Sequence, residues 1–314
     1  MAGLTGHAGS RGPRPGAEPG PEGSAARPDD WLVLSIPAPA APRAHLLVDA
    51  LRRVGARAVE RDGDRVLALF PPRPDVDTLA TEVRPALRAA LDADPELSWR
   101  RQSHSEWAAR WREEQRPRRV GRLLVVPVGA DPDDVGPGDV VLRLEPGVAF
   151  GTAEHATTRA CLRFLDGWVR PGHRVLDIGA GSGVLAIAAA LLGAAEVLAV
   201  EADGLACRAA RRNVEANGVA GRVRVRELEV GPGDLRRLGR YDVVAANLQV
   251  GILRPLVPGL AGALPRDGAL IVSGIVGDER DELVAVADDA GLVLADAATE
   301  RGWWTGVLTR PPGR

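Results

Sequence analysis

The hydrophobic pattern divides the chain into an unpatterned beginning and two blocks of alternating strand and helix signals. Residues 1–30 are rich in Gly, Pro, Ala and Arg and show no apolar period. Such a composition cannot bury enough apolar surface to form a core, so we predict a disordered tail. From residue 31 onward short apolar runs alternate with helical spacing, which predicts an α/β protein.

The first block, residues 31–103, predicts a small ferredoxin-like α/β domain. Its two helical patterns cover residues 43–55 and 75–92, and the first of them ends at Gly55. Asp62-Gly63-Asp64 is typical of a hairpin turn. The predicted strands are 31–36, 56–60, 65–70 and 96–103. The resulting order β-α-β-β-α-β is that of a ferredoxin-like fold.

Residues 104–150 are predicted to form a connector between the two blocks. Trp107 and Trp111 lie one helical turn apart, so we expect both rings to pack against a domain. Two apolar runs, 123–128 and 140–146, predict strands that lead into the second block.

The second block, residues 151–314, alternates apolar strands with helices up to a final pair of strands, and one of these predicted helices lies near residues 251–264. Strands that are apolar throughout indicate a parallel sheet with helices on both faces. The last two, residues 292–300 and 303–310, are expected to add a closing antiparallel hairpin at one edge. The predicted fold is therefore a doubly wound, Rossmann-like α/β sheet.

Composition narrows the class of function. All 40 basic residues are Arg, and the formal net charge is −2, which argues against a protein held mainly by nucleic-acid phosphates. Cys161 and Cys207 lie in predicted helices, and no Cys/His spacing resembles a zinc site. No apolar run is long enough for a membrane span, and the N-terminus lacks a signal-peptide pattern. We therefore expect a reduced, cytoplasmic protein without a bound metal.

A glycine-rich loop, Asp177-Ile178-Gly179-Ala180-Gly181-Ser182-Gly183, follows a predicted strand and opens a helix. This context predicts a ligand at the carboxyl end of the strand. A dinucleotide site would need its third glycine one position later than Gly183, and Asp177 would repel a pyrophosphate. S-adenosylmethionine has no phosphate and carries a sulfonium and an ammonium. Asp177, Gly179 and Gly181 are therefore predicted to surround that cofactor.

Glu201 ends the next predicted strand, about 20 residues after the loop begins. A carboxylate there can accept hydrogen bonds from both ribose hydroxyls, as in dinucleotide sites. Asp203, two residues later, is predicted to cap the following helix, with the ribose role as its alternative.

Two further segments resemble one family. They are LEPGVAFGTAEHATT (144–158) and VVAANLQV (243–250), and together with the glycine loop they resemble the bacterial ribosomal protein L11 methyltransferase family. The resemblance covers roughly residues 31–310. It implies a class I methyltransferase sheet, S-adenosylmethionine as cofactor, and lysine or N-terminal amines of ribosomal protein L11 as substrate. It also implies that the N-terminal domain recognises this protein substrate.

The resemblance also assigns residues to the site. Thr158, Gly179, Glu201 and Asn247 should contact the cofactor, and Phe150, Gly151 and Thr152 should lie over it. The lone His155 in this segment is interpreted as a structural hydrogen-bonding residue, with proton transfer as the alternative.

The chain departs from the family pattern near the site. Ala153-Glu154 replaces Gly-Thr, Ala156 replaces Pro, Ala180 replaces Cys, and Leu248-Gln249-Val250 replaces Ile-Leu-Ala. These changes leave open a different protein or a small amine as substrate, or a non-catalytic cofactor-binding protein. An NAD-dependent oxidoreductase is the more distant alternative.

Asn247 is the candidate catalytic residue. An amine must reach the methyl donor uncharged, and a strand-end asparagine offers neutral acceptors that favour the free amine. Its alternative role is a cap for the next helix. No aromatic residue follows at Val250 to stack on a base, so a nucleobase substrate is not expected.

Overall fold

The computed structural model describes most of the two predicted blocks. The described residues are 30–39, 46–48, 50–51, 53–56, 58–62, 64–73, 75–103, 117–132, 134–145, 153, 155–276 and 279–311. The predicted tail, the segment of Trp107 and Trp111, and residues 150–152 lie outside them, apart from Asp30 at the end of the tail.

The N-terminal unit has the predicted ferredoxin-like arrangement. Its sheet has the order β2-β3-β1-β4 with antiparallel neighbours throughout, and residues 46–48, 50, 51 and 53 are helical. The elements are β1 (Asp30–Pro37), β2 (Ala58–Asp62), β3 (Arg65–Phe70), α1 (Val76–Leu91) and β4 (Ser98–Ser103). Helix α1 continues through Pro85, and Asp75 caps its first turn. One core of strand and helix side chains, including Leu32, Phe70 and Leu79, joins the two layers.

The predicted connector contains a small sheet. Strands β5 (Arg118–Val120), β6 (Leu123–Pro127) and β7 (Val140–Leu144) pair in that order, β5 with β6 antiparallel and β6 with β7 parallel. The backbone of Arg143 in β7 exchanges two hydrogen bonds with the side-chain amide of Asn217. The small sheet is thereby attached to the second block, although the domain boundaries themselves remain predictions.

The second block is a seven-stranded sheet with helices on both faces. Its strand order is β10-β9-β8-β11-β12-β14-β13. The strands are β8 (Arg174–Ile178), β9 (Glu196–Glu201), β10 (Val223–Glu227), β11 (Val243–Asn247), β12 (Ala269–Val276), β13 (Val293–Glu300) and β14 (Trp303–Thr309). The helices are α2 (Ala156–Trp168), α3 (Val184–Leu191), α4 (Gly204–Ala216), α5 (Leu235–Leu238), α6 (Val250–Leu253), α7 (Val257–Ala263) and α8 (Arg280–Asp289).

Pairing within this sheet fixes the position of the site. Strands β8 to β12 are parallel to one another. Strand β14 is antiparallel to both β12 and β13, which confirms the predicted closing hairpin. Strand order reverses between β8 and β11, because β9 lies on one side of β8 and β11 on the other. A ligand crevice forms outside the carboxyl ends of the strands at such a reversal.

Burial explains why the central strands are apolar throughout. Alternate side chains of β8 and β11 enter two separate cores, one on each face of the sheet. Helix α3 belongs to the core that contains Val175 and Val243, and seven of its eight residues are buried. The predicted fold class, a Rossmann-like sheet preceded by a ferredoxin-like unit, is confirmed.

One predicted helix is divided in the structure. Residues 251–264 were expected to form a single helix, but α6 ends at Leu253, a 3-10 turn covers Arg254–Leu256, and α7 follows. Pro255 and Pro258 lie at the starts of the two later segments, where a missing N–H is tolerated. Both cysteines are buried free thiols, and none of the described helices combines the length and apolarity needed to cross a membrane.

Candidate active site

The glycine loop after β8 adopts backbone conformations that other residues rarely take. Gly179, Gly181 and Gly183 have φ values of +72°, +55° and +81°. A Cβ at Gly179 would collide with the side chain of Leu248. The N–H groups of Gly179 and Ala180 donate to the carbonyl of Val200 at 2.9 and 3.1 Å. The loop therefore packs closely between the ends of β9 and β11, and it needs glycine at these positions.

Glu201 holds the glycine loop from the end of β9. Its Oε2 accepts a hydrogen bond from the Gly181 N–H at 2.9 Å, and its Oε1 accepts one from the Asp203 N–H at 2.9 Å. Asp203 caps helix α4 through the Leu205 N–H, which confirms its predicted capping role. The carboxylate of Glu201 thus lies beside the loop at the carboxyl end of the sheet.

Asp177 and Thr158 are buried in the interior of the protein. Asp177 is 1% exposed, and its Oδ2 accepts a hydrogen bond from the Ala186 N–H at 3.0 Å. Burial, with a further contribution from the charge of Glu201, raises the pKa of Asp177 to about 7. Thr158 is fully buried. Among the described residues, Asp177 Oδ1 and Thr158 Oγ1 have no hydrogen-bond partner.

Asn247 lies at the end of β11 and contacts the start of helix α2. Its Nδ2 donates to Thr157 Oγ1 at 3.2 Å. Thr157 Oγ1 is also 2.7 Å from His155 Nδ1, and His155 is the N-cap of α2. The helix that follows β11 has Gln249 as its N-cap, so the alternative role of Asn247 as a helix cap is wrong.

The β13–β14 hairpin places an aromatic ring beside this group. Arg301 and Gly302 form its turn with φ values of +52° and +83°. Trp303 follows the turn, and its ring meets that of His155 edge-on with centroids 5.0 Å apart. The capping role of His155 and its packing against Trp303 agree with the structural interpretation of this residue.

These groups line one cleft of about 1230 Å³ at the carboxyl end of the sheet. The second block contributes Gly179, Gly181, Glu201 and Asn247, together with His155, Thr157 and Trp303. The N-terminal unit contributes Trp31, Arg53 and Ala56. No group of three or more potential metal-ligating side chains occurs in the described part of the chain.

The cleft separates the predicted site residues into three sets. Gly179, Gly181, Glu201 and Asn247 line it. Asp177 and Thr158 are buried and are not among its lining residues. Thr152 lies outside the described residues, together with Phe150 and Gly151. Sequence reasoning missed Thr157 and Trp303. Thr157 directly precedes the predicted Thr158 in the segment that resembles the family, and Trp303 opens the predicted last strand, but nothing in the local sequence distinguishes either side chain.

The geometry fits S-adenosylmethionine better than a dinucleotide. The loop N–H groups of Gly179, Ala180 and Gly181 are already bonded within the protein, so none of these three donors is left for a phosphate. The group at the loop is instead a carboxylate, because Glu201 lines the cleft beside it. A carboxylate in this place suits a cationic ligand better than a pyrophosphate. Two buried oxygens, Asp177 Oδ1 and Thr158 Oγ1, are also without a hydrogen-bond partner among the described residues.

This strand order, with a glycine loop and an acidic strand end at the switch point, defines a class I S-adenosylmethionine-dependent methyltransferase. The family model described as ribosomal protein L11 methyltransferase (PrmA) matches residues 47–311. The chain therefore belongs to the ribosomal protein L11 methyltransferase family, a family of protein methyltransferases, as the sequence resemblance predicted.

Individual relatives support this assignment. The ribosomal protein L11 methyltransferase of Pelotomaculum thermopropionicum is 43% identical over 216 residues, which are 68% of this chain and 68% of that protein. That of Chromohalobacter salexigens is 35% identical over 247 residues, 78% of this chain and 80% of the relative. The crystal structure of the ribosomal protein L11 methylase from Lactobacillus delbrueckii subsp. bulgaricus has a TM-score of 0.56 and 29% identity. It covers 60% of this chain and 95% of that chain.

Proposed function

We propose that this protein transfers methyl groups from S-adenosylmethionine to lysine ε-amines or the N-terminal amine of ribosomal protein L11. The observation that carries the proposal is the cleft that Asn247, a neutral polar residue, lines together with the glycine loop and Glu201. Family membership supports the substrate, because the matched relatives carry that name. A cytoplasmic location agrees with this substrate.

The cofactor site is assigned to the loop and its neighbours. Gly179 and Gly181 would allow close approach of the cofactor, and Glu201 would exchange a backbone partner for the ribose hydroxyls. Asp177 and Thr158 would act from the interior, each through a buried oxygen that has no hydrogen-bond partner among the described residues. Thr152 remains a predicted contact in the segment before α2.

The chemistry at the cleft is a displacement at carbon. When bound, S-adenosylmethionine supplies a methyl group on a positively charged sulfur, which is a good leaving group. The amine nitrogen forms the new N–C bond as the C–S bond breaks, and the nitrogen then loses one proton to water. Asn247 orients the uncharged amine through its side-chain oxygen, and alignment replaces a dedicated general base.

The N-terminal unit is proposed to present the protein substrate. Trp31 and Arg53 line the same cleft as Asn247, so this unit borders the route by which a polypeptide side chain would enter. The departures from the family pattern at Leu248, Gln249 and Val250 line the same cleft. Because these side chains differ from the family pattern, the identity of the substrate is tested directly.

The decisive experiment incubates the purified protein and isotope-labelled S-adenosylmethionine with purified ribosomal protein L11, and separately with a ribosomal extract. Mass spectrometry should locate label on amines of ribosomal protein L11 in both mixtures. Label on another protein, or on small amines only, would contradict the proposed substrate. Tight cofactor binding without any transfer would contradict an enzymatic function.

Two variants separate cofactor binding from chemistry. Glu201→Ala should weaken cofactor binding by roughly 1–3 kcal/mol, the scale of hydrogen bonds to charged groups. Asn247→Ala should lower turnover more than it lowers cofactor affinity, because the residue acts on the amine. Isothermal titration and single-turnover labelling measure the two effects, and the reverse pattern for Asn247 would make it a cofactor ligand only.

A further inference from the structure

Thr157 connects the first turn of α2 to the end of β11. Its side chain is 1% exposed, yet the residue lines the cleft. The hydroxyl oxygen is within hydrogen-bond distance of two side-chain nitrogens, Asn247 Nδ2 at 3.2 Å and His155 Nδ1 at 2.7 Å. A nearly buried hydroxyl with two partners has little freedom, so each partner constrains the direction of the other bond.

The N-cap of α2 determines which of these groups donates and which accepts. The backbone N–H of Thr157 points at His155 Nδ1 at 3.4 Å, which makes Nδ1 the acceptor of the N-cap. An accepting Nδ1 receives the hydroxyl hydrogen of Thr157 as well. The oxygen of Thr157 must then accept from Asn247, and the asparagine amide must turn its NH₂ group toward Thr157.

We infer that Thr157 is a positioning residue that fixes the amide of Asn247 with its oxygen available to the incoming amine. This inference rests on the proposed function of Asn247. An asparagine amide can rotate by half a turn at little steric cost, because its oxygen and NH₂ have nearly equal size. In the rotated state Asn247 Oδ1 would face the Thr157 oxygen, whose hydrogen is already donated to His155 Nδ1, so two acceptors would lie against each other. The NH₂ group of Asn247 would then face the substrate amine, which would have no acceptor.

The hydroxyl of Thr157 can be removed without changing the size of the side chain. Thr157→Val deletes the hydrogen bond, and Thr157→Ser keeps it and serves as the matched control. We expect Thr157→Val to lower kcat for methyl transfer at least tenfold, with the KM for the methyl acceptor and the Kd for S-adenosylmethionine changed less than twofold. Thr157→Ser should restore most of kcat. Equal kcat in both variants, or equal losses, would overturn the inference.

A second measurement is independent of activity. The chain contains three asparagines, Asn213, Asn217 and Asn247, so selective ¹⁵N-asparagine labelling yields three side-chain amide signals. Asn247→Asp identifies the signal of Asn247 by its loss. That signal should shift and exchange faster with solvent in Thr157→Val and return in Thr157→Ser, while the other two stay fixed as internal references.

The two failures can be told apart. If the wild-type protein methylates no amine but the Asn247 signal responds to Thr157→Val, the proposed function fails and the positioning contact stands. If methylation occurs and the Asn247 signal does not respond, the positioning role is overturned and the proposed function stands.

Discussion

Ala153 adopts a backbone conformation that ordinarily belongs to glycine. Its φ is +61°, and its side chain is fully buried in the larger core of the second block. A left-handed conformation costs an L-residue with a Cβ about 1–2 kcal/mol. The family pattern has glycine at this position. Alanine therefore introduces backbone strain here, and burial of its methyl group offsets part of the energetic cost.

Two substitutions at Ala153 test this balance. Ala153→Val adds a β-branched side chain at positive φ inside a packed core, and it should lower the free energy of unfolding by more than about 2 kcal/mol. Ala153→Gly relieves the strain but loses the buried methyl group and frees the unfolded chain, so we expect a change within about 1 kcal/mol. Urea denaturation of both variants measures the difference, and a well-tolerated valine would contradict the left-handed conformation.

At the same scale, sequence reasoning identified some site residues and missed others for a physical reason. Gly179 and Glu201 were predicted because a strand, a turn and a helix follow one another locally and impose their residue types. Thr157 contacts Asn247 across 90 positions, and no local pattern encodes that contact. Which of two adjacent threonines faces the cleft depends on the rotation of α2 against the sheet.

At the level of elements, an ion pair joins helix α2 to the β13–β14 hairpin. Arg159 Nε donates to Glu300 Oε1 at 3.1 Å, and its Nη2 contacts the same oxygen. Arg159 Nη1 also reaches the carbonyl of Ala153 at 3.3 Å. The side chains are 15% and 32% exposed, so this pair is more shielded than an exposed pair such as Arg254–Glu282. It holds the hairpin next to the segment that leads into the site.

Glu300→Gln should lower the free energy of unfolding at neutral pH by about 1 kcal/mol, a figure reduced for solvent screening. The hydrogen bond from Arg159 lowers the pKa of Glu300, so its stabilisation is present above the unfolded pKa and is lost as the pH falls through the folded pKa. The difference from the wild type should therefore shrink below a pH of about 4. Thermal denaturation at several pH values measures it.

The pair Arg254–Glu282 provides the control for this prediction. Its side chains are 49% and 54% exposed, and exposed pairs contribute little to stability. Glu282→Gln is expected to change the melting temperature by no more than the experimental error. Equal changes in melting temperature for both variants would show that the Arg159–Glu300 pair stabilises the protein no more than an exposed pair.

The elements themselves were largely predictable, and the exceptions have clear causes. The alternation of apolar strands and helices fixed the parallel sheet, because strands buried on both faces must be apolar throughout. Residues 251–264 were mistaken for one helix because their apolar spacing continues across two prolines, whose effect on the backbone is stronger than the spacing.

At the scale of the whole molecule, a carboxyl group lies inside the central sheet. Asp177 is in β8, between β9 and β11, and its pKa is raised to about 7 because burial disfavours the charged form. In an unfolded chain an aspartate has a pKa of about 3.9. Between these values the native protein keeps a proton on Asp177 that the unfolded chain releases. The contribution of this carboxyl group to the free energy of unfolding therefore falls as the pH rises from about 4 to about 7.

Asp177→Asn removes this titration and keeps an oxygen that can accept from the Ala186 N–H. Relative to the wild type, the variant should gain stability as the pH rises, by on the order of 1–3 kcal/mol between about pH 5 and pH 8. Urea denaturation across that range is the measurement, with Asp289→Asn on the exposed end of α8 as the control. Parallel pH profiles of the Asp177→Asn variant and the wild type would contradict the raised pKa. A variant that gains stability over the wild type as the pH falls would mean that Asp177 is ionised in the native protein. That result is expected only if a positively charged group lies next to this carboxylate.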